Sequence, residues 1–116
     1  MRHPGLDPGA RFLKAHAMRE GAKGGWVYIM ADRYRGTIYV GVTADIVARV
    51  DHHKRGSGSD FCARYGLGRL VWMEFGEDIR ACIEQQKRLK RWRRAWKFDL
   101  IERDNPLWRD ISETAV

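Results

Sequence analysis

Two tyrosines and a pair of basic residues lie close together in the first half of this sequence. Tyr28 and Tyr39 stand in two short apolar stretches, and Arg49 and His53 follow four residues apart. Because residues four apart share one face of a helix, Arg49 and His53 can address one phosphate together. Arginine is a permanently charged fork and histidine exchanges protons near neutral pH, so this set is suited to phosphodiester hydrolysis.

Each of these residues also has an ordinary structural explanation. Tyrosines in strands usually pack, and a basic pair at this spacing is more often a solvated helix face. On residue type alone, His52 is as good a candidate as His53. A tyrosine has an unperturbed pKa near 10, so it acts as a base only beside a cation or metal-bound water.

The elements that would position these side chains can be predicted from the local pattern. Residues 26–30 and 37–41 are rich in β-branched and aromatic residues and are separated by a polar turn containing Gly36, which predicts a hairpin. Asp45 is a suitable N-cap for a helix running to about Lys54. Its inner side would carry Ile46, Val47 and Val50.

The second half predicts one more strand and two helices. Residues 69–75 alternate as a strand. The alternation places Leu70, Trp72 and Glu74 on one face and Val71, Met73 and Phe75 on the other. Asp78 caps a helix whose inner stripe is Ile79, Cys82, Ile83, Gln86 and Leu89 or Lys90. A last helix covers residues 96–103 and stops near Pro106, giving an α+β fold with a small antiparallel sheet covered by helices.

The strongly basic composition favours a polyanionic partner. The formal net charge is +7 and the pI about 9.8. Seven of the eleven residues from Lys87 to Lys97 are basic, although such a run is often only a solvated face. The predicted DNA contacts are Lys54, Arg64, Lys87, Lys90, Arg91, Arg93, Arg94 and Lys97, with Arg69 extending the surface.

Length and composition predict a single cytoplasmic domain. At 116 residues a second domain has no room, no apolar stretch is long enough to span a bilayer, and no signal peptide is recognised. Cys62 and Cys82 are expected to be buried and unpaired. We expect a flexible arm over residues 1–24, a domain over 25–112, a tail over 113–116, a monomeric state and no organic cofactor.

Several separated features, in one order, resemble the GIY-YIG nuclease family, in particular its small single-domain bacterial members. Its two motifs correspond to Trp26-Val27-Tyr28 and Tyr39-Val40-Gly41. Further matches are Thr43-Ala44-Asp45, Arg64-Tyr65-Gly66, Lys90 with Trp92, and Asn105-Pro106-Leu107-Trp108. The resemblance covers residues 25–112 and implies a GIY-YIG fold, a three-stranded antiparallel sheet flanked by helices.

The resemblance also implies roles for the site residues. Tyr28 and Tyr39 would line the cleft and activate or position water, Arg49 would stabilise transition-state charge, and His53 would relay a proton or contact phosphate. The family spacing selects His53 over His52. One position departs from the family, because Gln86 stands where a glutamate holds the divalent metal, Mg²⁺ or another ion such as Mn²⁺.

These observations predict a metal-dependent DNA endonuclease in DNA repair or processing, whose activity Gln86 puts in doubt. The alternative is a catalytically weakened nucleic-acid-binding module of the same fold. A protein-interaction domain without a nucleic-acid role would leave the spacing of the tyrosine, arginine and histidine residues unexplained. Glu84 is a poor substitute ligand, because it points away from the inner stripe of its helix.

Overall fold

The computed structural model describes residues 24–56 and 60–112. The predicted arm, apart from Gly24, and the predicted tail lie outside the described residues. The elements are β1 (Gly25–Ala31), β2 (Ile38–Thr43), α1 (Ile46–Lys54), α2 (Asp60–Tyr65), β3 (Arg69–Gly76), α3 (Ile79–Arg91) and α4 (Arg94–Asp104). This confirms the α+β class and the predicted order of elements, except for α2.

The three strands form one antiparallel sheet in the order β2-β1-β3. Every residue of the central strand β1 is buried. The predicted hairpin is therefore confirmed as the β1–β2 pair, and the third strand pairs on the other side of β1. Because β2 lies at the edge of the sheet, its side chains border solvent where those of β1 do not.

Helices cover both faces of the sheet and give two hydrophobic clusters. One cluster packs α1 and the α2 region against β1, and it includes Tyr28, Met30, Ile46, Val50 and Cys62. The other packs α3 and α4 against the opposite face, and it includes Val27, Ile29, Cys82, Leu89 and Ile101. The period-2 alternation along β1 assigns its residues to the two layers.

The predicted faces of β3 are wrong at its second and third residues, Leu70 and Val71. Leu70 packs in the cluster of Met73, whereas Val71 joins Trp72 on the opposite face. A β-bulge causes the difference, since the β1–β3 register shifts between Ile29 and Met30. An extra residue in a strand reverses the faces of all residues beyond it, and a regular alternation cannot anticipate this reversal.

Helix α2 was not predicted, and α4 begins two residues earlier than expected. α2 is only six residues long, too short to produce a recognisable apolar period. It ends at Tyr65, and the next residue, Gly66, adopts a left-handed φ of +66°. The Leu67 N–H then bonds the Cys62 carbonyl at 3.0 Å, a common way to close a helix.

The segment after α4 is tied to the sheet by Asn105 and Trp108. The Asn105 side chain donates to the Val71 and Arg109 carbonyls at 3.0 and 2.9 Å. Trp108 is fully buried, and its indole N–H donates to Glu102 at 2.7 Å. These contacts give the Asn-Pro-Leu-Trp stretch a structural role.

Both cysteines are buried and neither forms a disulfide, as predicted. No helix in the described part of the chain is long and apolar enough to cross a membrane.

Candidate functional site

The two motif tyrosines lie on neighbouring strands and on the same face of the sheet. Tyr28 is in the middle of β1 and fully buried, whereas Tyr39 on β2 is half-buried. Tyr28 pairs across the strands with Gly41, where an added Cβ would lie 2.5 Å from the Tyr28 hydroxyl oxygen. The glycine of the second motif is therefore needed to make room for the first tyrosine.

An N-cap at the start of α1 orients this helix towards the two tyrosines. The Thr43 hydroxyl accepts from the Asp45 N–H at 3.1 Å. Asp45 adopts an extended conformation, and its carboxylate accepts from the Ala48 N–H at 3.1 Å. This is the N-cap arrangement that satisfies the first helical donors. It fixes the start of α1, and with it the positions of Arg49 and His53.

His53 meets both tyrosines under the end of α1. Its Nε2 lies 2.9 Å from the Tyr28 hydroxyl. Its ring centroid lies 5.7 Å from that of Tyr28 and 5.7 Å from that of Tyr39. His53 is only 4% exposed, whereas His52 is exposed. The structure thus places His53, and not its neighbour, with the tyrosines, and we call Tyr28, Tyr39 and His53 the tyrosine cluster.

The hydrogen bond between Tyr28 and His53 joins two neutral groups. Burial, followed by the neighbouring Tyr39, raises the pKa of Tyr28 far above its usual value. Burial, followed by the charge of Arg49, lowers the pKa of His53 to about 4. His53 is therefore neutral at pH 7 in this structure, and its role as a proton relay or phosphate contact stays a prediction. Its Nδ1 is buried with no hydrogen-bond partner.

Arg49 is half-buried and lies beside the same pair. Its charge and a hydrogen bond partly offset the rise in the pKa of Tyr28. The same charge contributes to the lowered pKa of His53. Since Arg49 stands one turn before His53 on α1, a single helix delivers a permanent positive charge and a buried imidazole to one place.

Gln86 and Lys90 approach β2 from α3, on the other side of the strand. The Gln86 amide donates to the Val40 carbonyl at 3.5 Å. One helical turn later, the Lys90 ammonium lies 5.9 Å from the centre of the Tyr39 ring. The position expected to hold a metal is therefore occupied by a half-buried neutral amide beside the second motif.

The residues around Gln86 do not fit a magnesium ion held by an acidic side chain. Glu84 is exposed and pairs with Lys87 at 3.7 Å, and Glu74 accepts from Gln85 at 2.6 Å. In residues 24–56 and 60–112, no three histidine, cysteine, aspartate or glutamate residues are grouped to hold a metal ion. Magnesium prefers carboxylate oxygens, and a glutamine supplies no negative charge.

The basic residues predicted to contact DNA separate into two groups. Some are engaged within the protein: Lys54 pairs with Asp110, Arg94 donates to the Gly36 carbonyl, and Lys97 donates to the Lys90 carbonyl at 3.3 Å. Arg69 likewise donates to the Trp108 carbonyl at 2.9 Å. The others are exposed and make no hydrogen bond to a backbone carbonyl in the described residues, although Lys87 pairs with Glu84 and Arg93 lies over the Trp96 ring. They are Arg64, Lys87, Lys90, Arg91 and Arg93.

Two features of the site were missed by the sequence reasoning. Asp110 holds Lys54 and also accepts from the Leu70 N–H at 3.3 Å. A pair separated by 56 residues along the chain has no local signal. The burial of His53 could be inferred from its helical spacing to Ile46 and Val50, which occupy the inner face of α1.

The chain belongs to the GIY-YIG family. The family described as the GIY-YIG catalytic domain matches residues 24–99, which include the tyrosine cluster, Arg49 and Gln86. This family is of a nuclease type.

The chain is also similar to a UPF0213 protein of Aeromonas salmonicida (strain A449), with 28% identity over 90 residues. The alignment covers 78% of this chain and 65% of the relative, so the chain spans less than two thirds of that protein's length. No solved structure matches the chain.

Proposed function

We propose that this protein binds DNA and hydrolyses phosphodiester bonds slowly, because its site keeps the tyrosine cluster and Arg49 but has Gln86 at the metal-ligand position. The observation that carries the proposal is the meeting of Tyr28, Tyr39 and His53 beside Arg49. A core that needed only packing would not collect three hydrogen-bonding rings and a cation. The family match supports nuclease chemistry as the function of such a site.

In this proposal Tyr39 positions or activates the attacking water. It is half-buried at the sheet edge, so a phosphate and a water molecule can reach it, whereas Tyr28 is fully buried. The Lys90 ammonium lies 5.9 Å from the centre of the Tyr39 ring, so it supplies positive charge for a phosphate bound beside this tyrosine.

Tyr28 and His53 then act as positioning residues. Since the pKa of Tyr28 is raised and that of His53 is lowered, both remain neutral at pH 7 and hold each other through one hydrogen bond. Arg49 serves as the charge that stabilises the transferring phosphoryl group, as a preorganised guanidinium does at a phosphate. Its contact with Tyr28 keeps it aimed at the cluster.

Gln86 accounts for the slow rate. A divalent ion held near the leaving group would add to the single positive charge that Lys90 brings to this side of β2. The amide of Gln86 supplies none, and it already donates to the Val40 carbonyl. The same observation favours a second candidate function, a nucleic-acid-binding module of this fold whose biological role does not need cleavage.

Binding and cleavage measured on one panel of DNAs would test the proposal. The panel contains branched, nicked, single-stranded and duplex DNA, each with and without magnesium or manganese. We expect binding that weakens with salt and slow cleavage of at least one substrate that is lost in Arg49→Ala. Binding without any cleavage would favour the second candidate. Failure to bind every substrate at low salt would reject both functions.

A further inference from the structure

A groove on the far side of α3 from the tyrosine cluster combines an exposed aromatic ring with basic side chains. Its volume is about 280 Å³, and it lies between the end of α3, α4 and β3. Trp72, Leu89 and Leu100 form its apolar part, and Trp92 stands at its end. The side chains of Arg88 and Arg103 line it as well, and both residues are exposed.

Trp92 is presented by a break between two helices. It is the C-cap of α3, with an extended conformation, and its N–H donates to the Leu89 carbonyl at 3.1 Å. Trp92 remains 38% exposed, and the neighbouring Trp96 is 50% exposed. The two rings pack edge-on, with their centroids 6.1 Å apart. Two adjacent exposed tryptophans leave apolar surface in water, which is a common property of binding sites.

The chemistry of the groove favours a nucleobase over a phosphate. The Glu74 carboxylate forms part of its wall and accepts from Gln85 at 2.6 Å, and it would repel a phosphate that entered the groove. A base has an apolar face that stacks on tryptophan and an edge whose amino groups donate to a carboxylate. Arg88 and Arg103 are then placed to meet the phosphates that remain outside.

The surface of α3 connects the groove to the tyrosine cluster. At about 100° per residue, successive residues define neighbouring columns along a helix. These columns are Gln86 and Lys90, then Lys87 and Arg91, then Arg88 and Trp92. The middle column is exposed and basic. A strand that leaves the tyrosine cluster can therefore follow positive charge around α3 to Trp92.

We propose that this groove binds an unpaired base of single-stranded nucleic acid, stacked on Trp92, while the strand's phosphates run over the basic surface of α3. The inference rests on the proposed nucleic-acid-binding function and adds a preference for unpaired strands. Bases in a duplex are already stacked on their neighbours and cannot enter the groove.

Binding of one mixed-sequence deoxyoligonucleotide, as a single strand and as a duplex, tests this inference. In fluorescence anisotropy titrations of the wild-type protein, we expect a single strand with abasic sites along its length to bind about tenfold more weakly than the intact strand. Trp92→Ala should lower affinity for the intact strand by about tenfold as well, and should change duplex affinity by less than twofold.

Tyr34→Ala is the matched control, because Tyr34 is an aromatic residue that is 53% exposed, lies in the turn between β1 and β2 and does not line the groove. It should change single-strand affinity by less than threefold, and Trp92→Phe should keep most of the affinity. Equal binding of the abasic and intact strands by the wild-type protein would overturn the inference, even if Trp92→Ala failed to fold. Duplex binding without single-strand binding would overturn it too but leave the proposed function standing, whereas failure of both would reject that function.

Discussion

The two sides of the edge strand β2 differ in what they offer a phosphodiester. On the α1 side, Tyr39 lies against His53 and close to Tyr28, within a buried and hydrogen-bonded cluster. On the α3 side, Gln86 and Lys90 present a neutral amide and one ammonium. The α1 side keeps the side chains that the family resemblance implies. The α3 side lacks the glutamate that the resemblance implies, because Gln86 stands in its place.

This difference separates two requirements of the proposed site: a packed tyrosine cluster and an acidic side chain at the metal-ligand position. The tyrosine cluster is built into the core, because Tyr28 is fully buried and Gly41 makes room for it. Gln86 is only half-buried, and it contacts β2 through a hydrogen bond to the Val40 carbonyl. A change at Gln86 should therefore alter metal binding and rate more than the fold, which gives the comparison direct experimental consequences.

The largest effect is expected from Arg49→Ala. Removing a preorganised charge at a transferring phosphate typically costs 10²- to 10³-fold in rate, so cleavage should fall by about that factor while DNA affinity changes little. Single-turnover rates on the best substrate of the panel measure this loss. Arg55→Ala is the control, since Arg55 ends the same helix and pairs with Asp51 at the surface. Cleavage by Arg49→Ala at the wild-type rate would contradict the proposal that α1 supplies the charge that stabilises the transferring phosphoryl group.

A second prediction concerns the two groups of basic residues. Replacing Arg91 and Arg93 with alanine should reduce the salt dependence of DNA affinity by about two slope units, if each contacts one phosphate. Replacing Arg94 and Lys97 should reduce it less, since their donors are engaged with backbone carbonyls. Affinity measured across a salt series gives both slopes. Equal salt dependence of DNA affinity in the two double variants would contradict the division of the basic residues into these two groups.

Gly41→Ala should destabilise the fold, because it disturbs the buried tyrosine cluster on the α1 side of β2. The new Cβ would lie 2.5 Å from the Tyr28 hydroxyl oxygen, and such overpacking typically costs about 1–3 kcal/mol. Urea unfolding followed by circular dichroism measures the change in unfolding free energy. Gly68→Ala is the control, because nothing lies within 4 Å of a Cβ placed there. Equal stability of the two variants would show that Tyr28 can move aside.

The smallest effect is a pH dependence of stability. The pKa of His53 is lowered from 6.5 to about 4 in the folded protein, so the unfolded chain takes up this proton first as the pH falls. The contribution of His53 is fully present above about pH 6.5 and is lost as the pH falls toward 4. His53→Gln should flatten the stability profile in this range more than His52→Gln does. Identical profiles for the wild type and His53→Gln would show that the folded and unfolded pKa values are similar.

The sequence predicted most of the fold because its signals are local. The Asp45 and Asp78 caps and the β-rich segments around Tyr28 and Tyr39 each depend on a few neighbouring residues. The β-bulge that reverses the faces of Leu70 and Val71 could not be predicted, since it depends on the pairing of β3 with a strand that is distant in the sequence.

The candidate site was predictable to a similar extent. Family spacing identified Tyr28, Tyr39, Arg49 and His53, and the structure brings these side chains together. The pKa shifts of Tyr28 and His53 could not be predicted, because burial is their main cause and burial emerges only from the packed structure. The involvement of Arg94 and Lys97 in backbone contacts was likewise hidden in a run of basic residues.

The most direct test compares single-turnover cleavage by the wild type and Gln86→Glu over a range of magnesium concentrations. A charged metal contact contributes several kcal/mol to the barrier, so Gln86→Glu should raise the magnesium-dependent rate by about two orders of magnitude or more. Gln86→Ala is the matched control, since it removes the amide that donates to the Val40 carbonyl and adds no charge. Equal rates for the wild type and Gln86→Glu at every magnesium concentration would contradict the central claim that the neutral residue at this position limits the site.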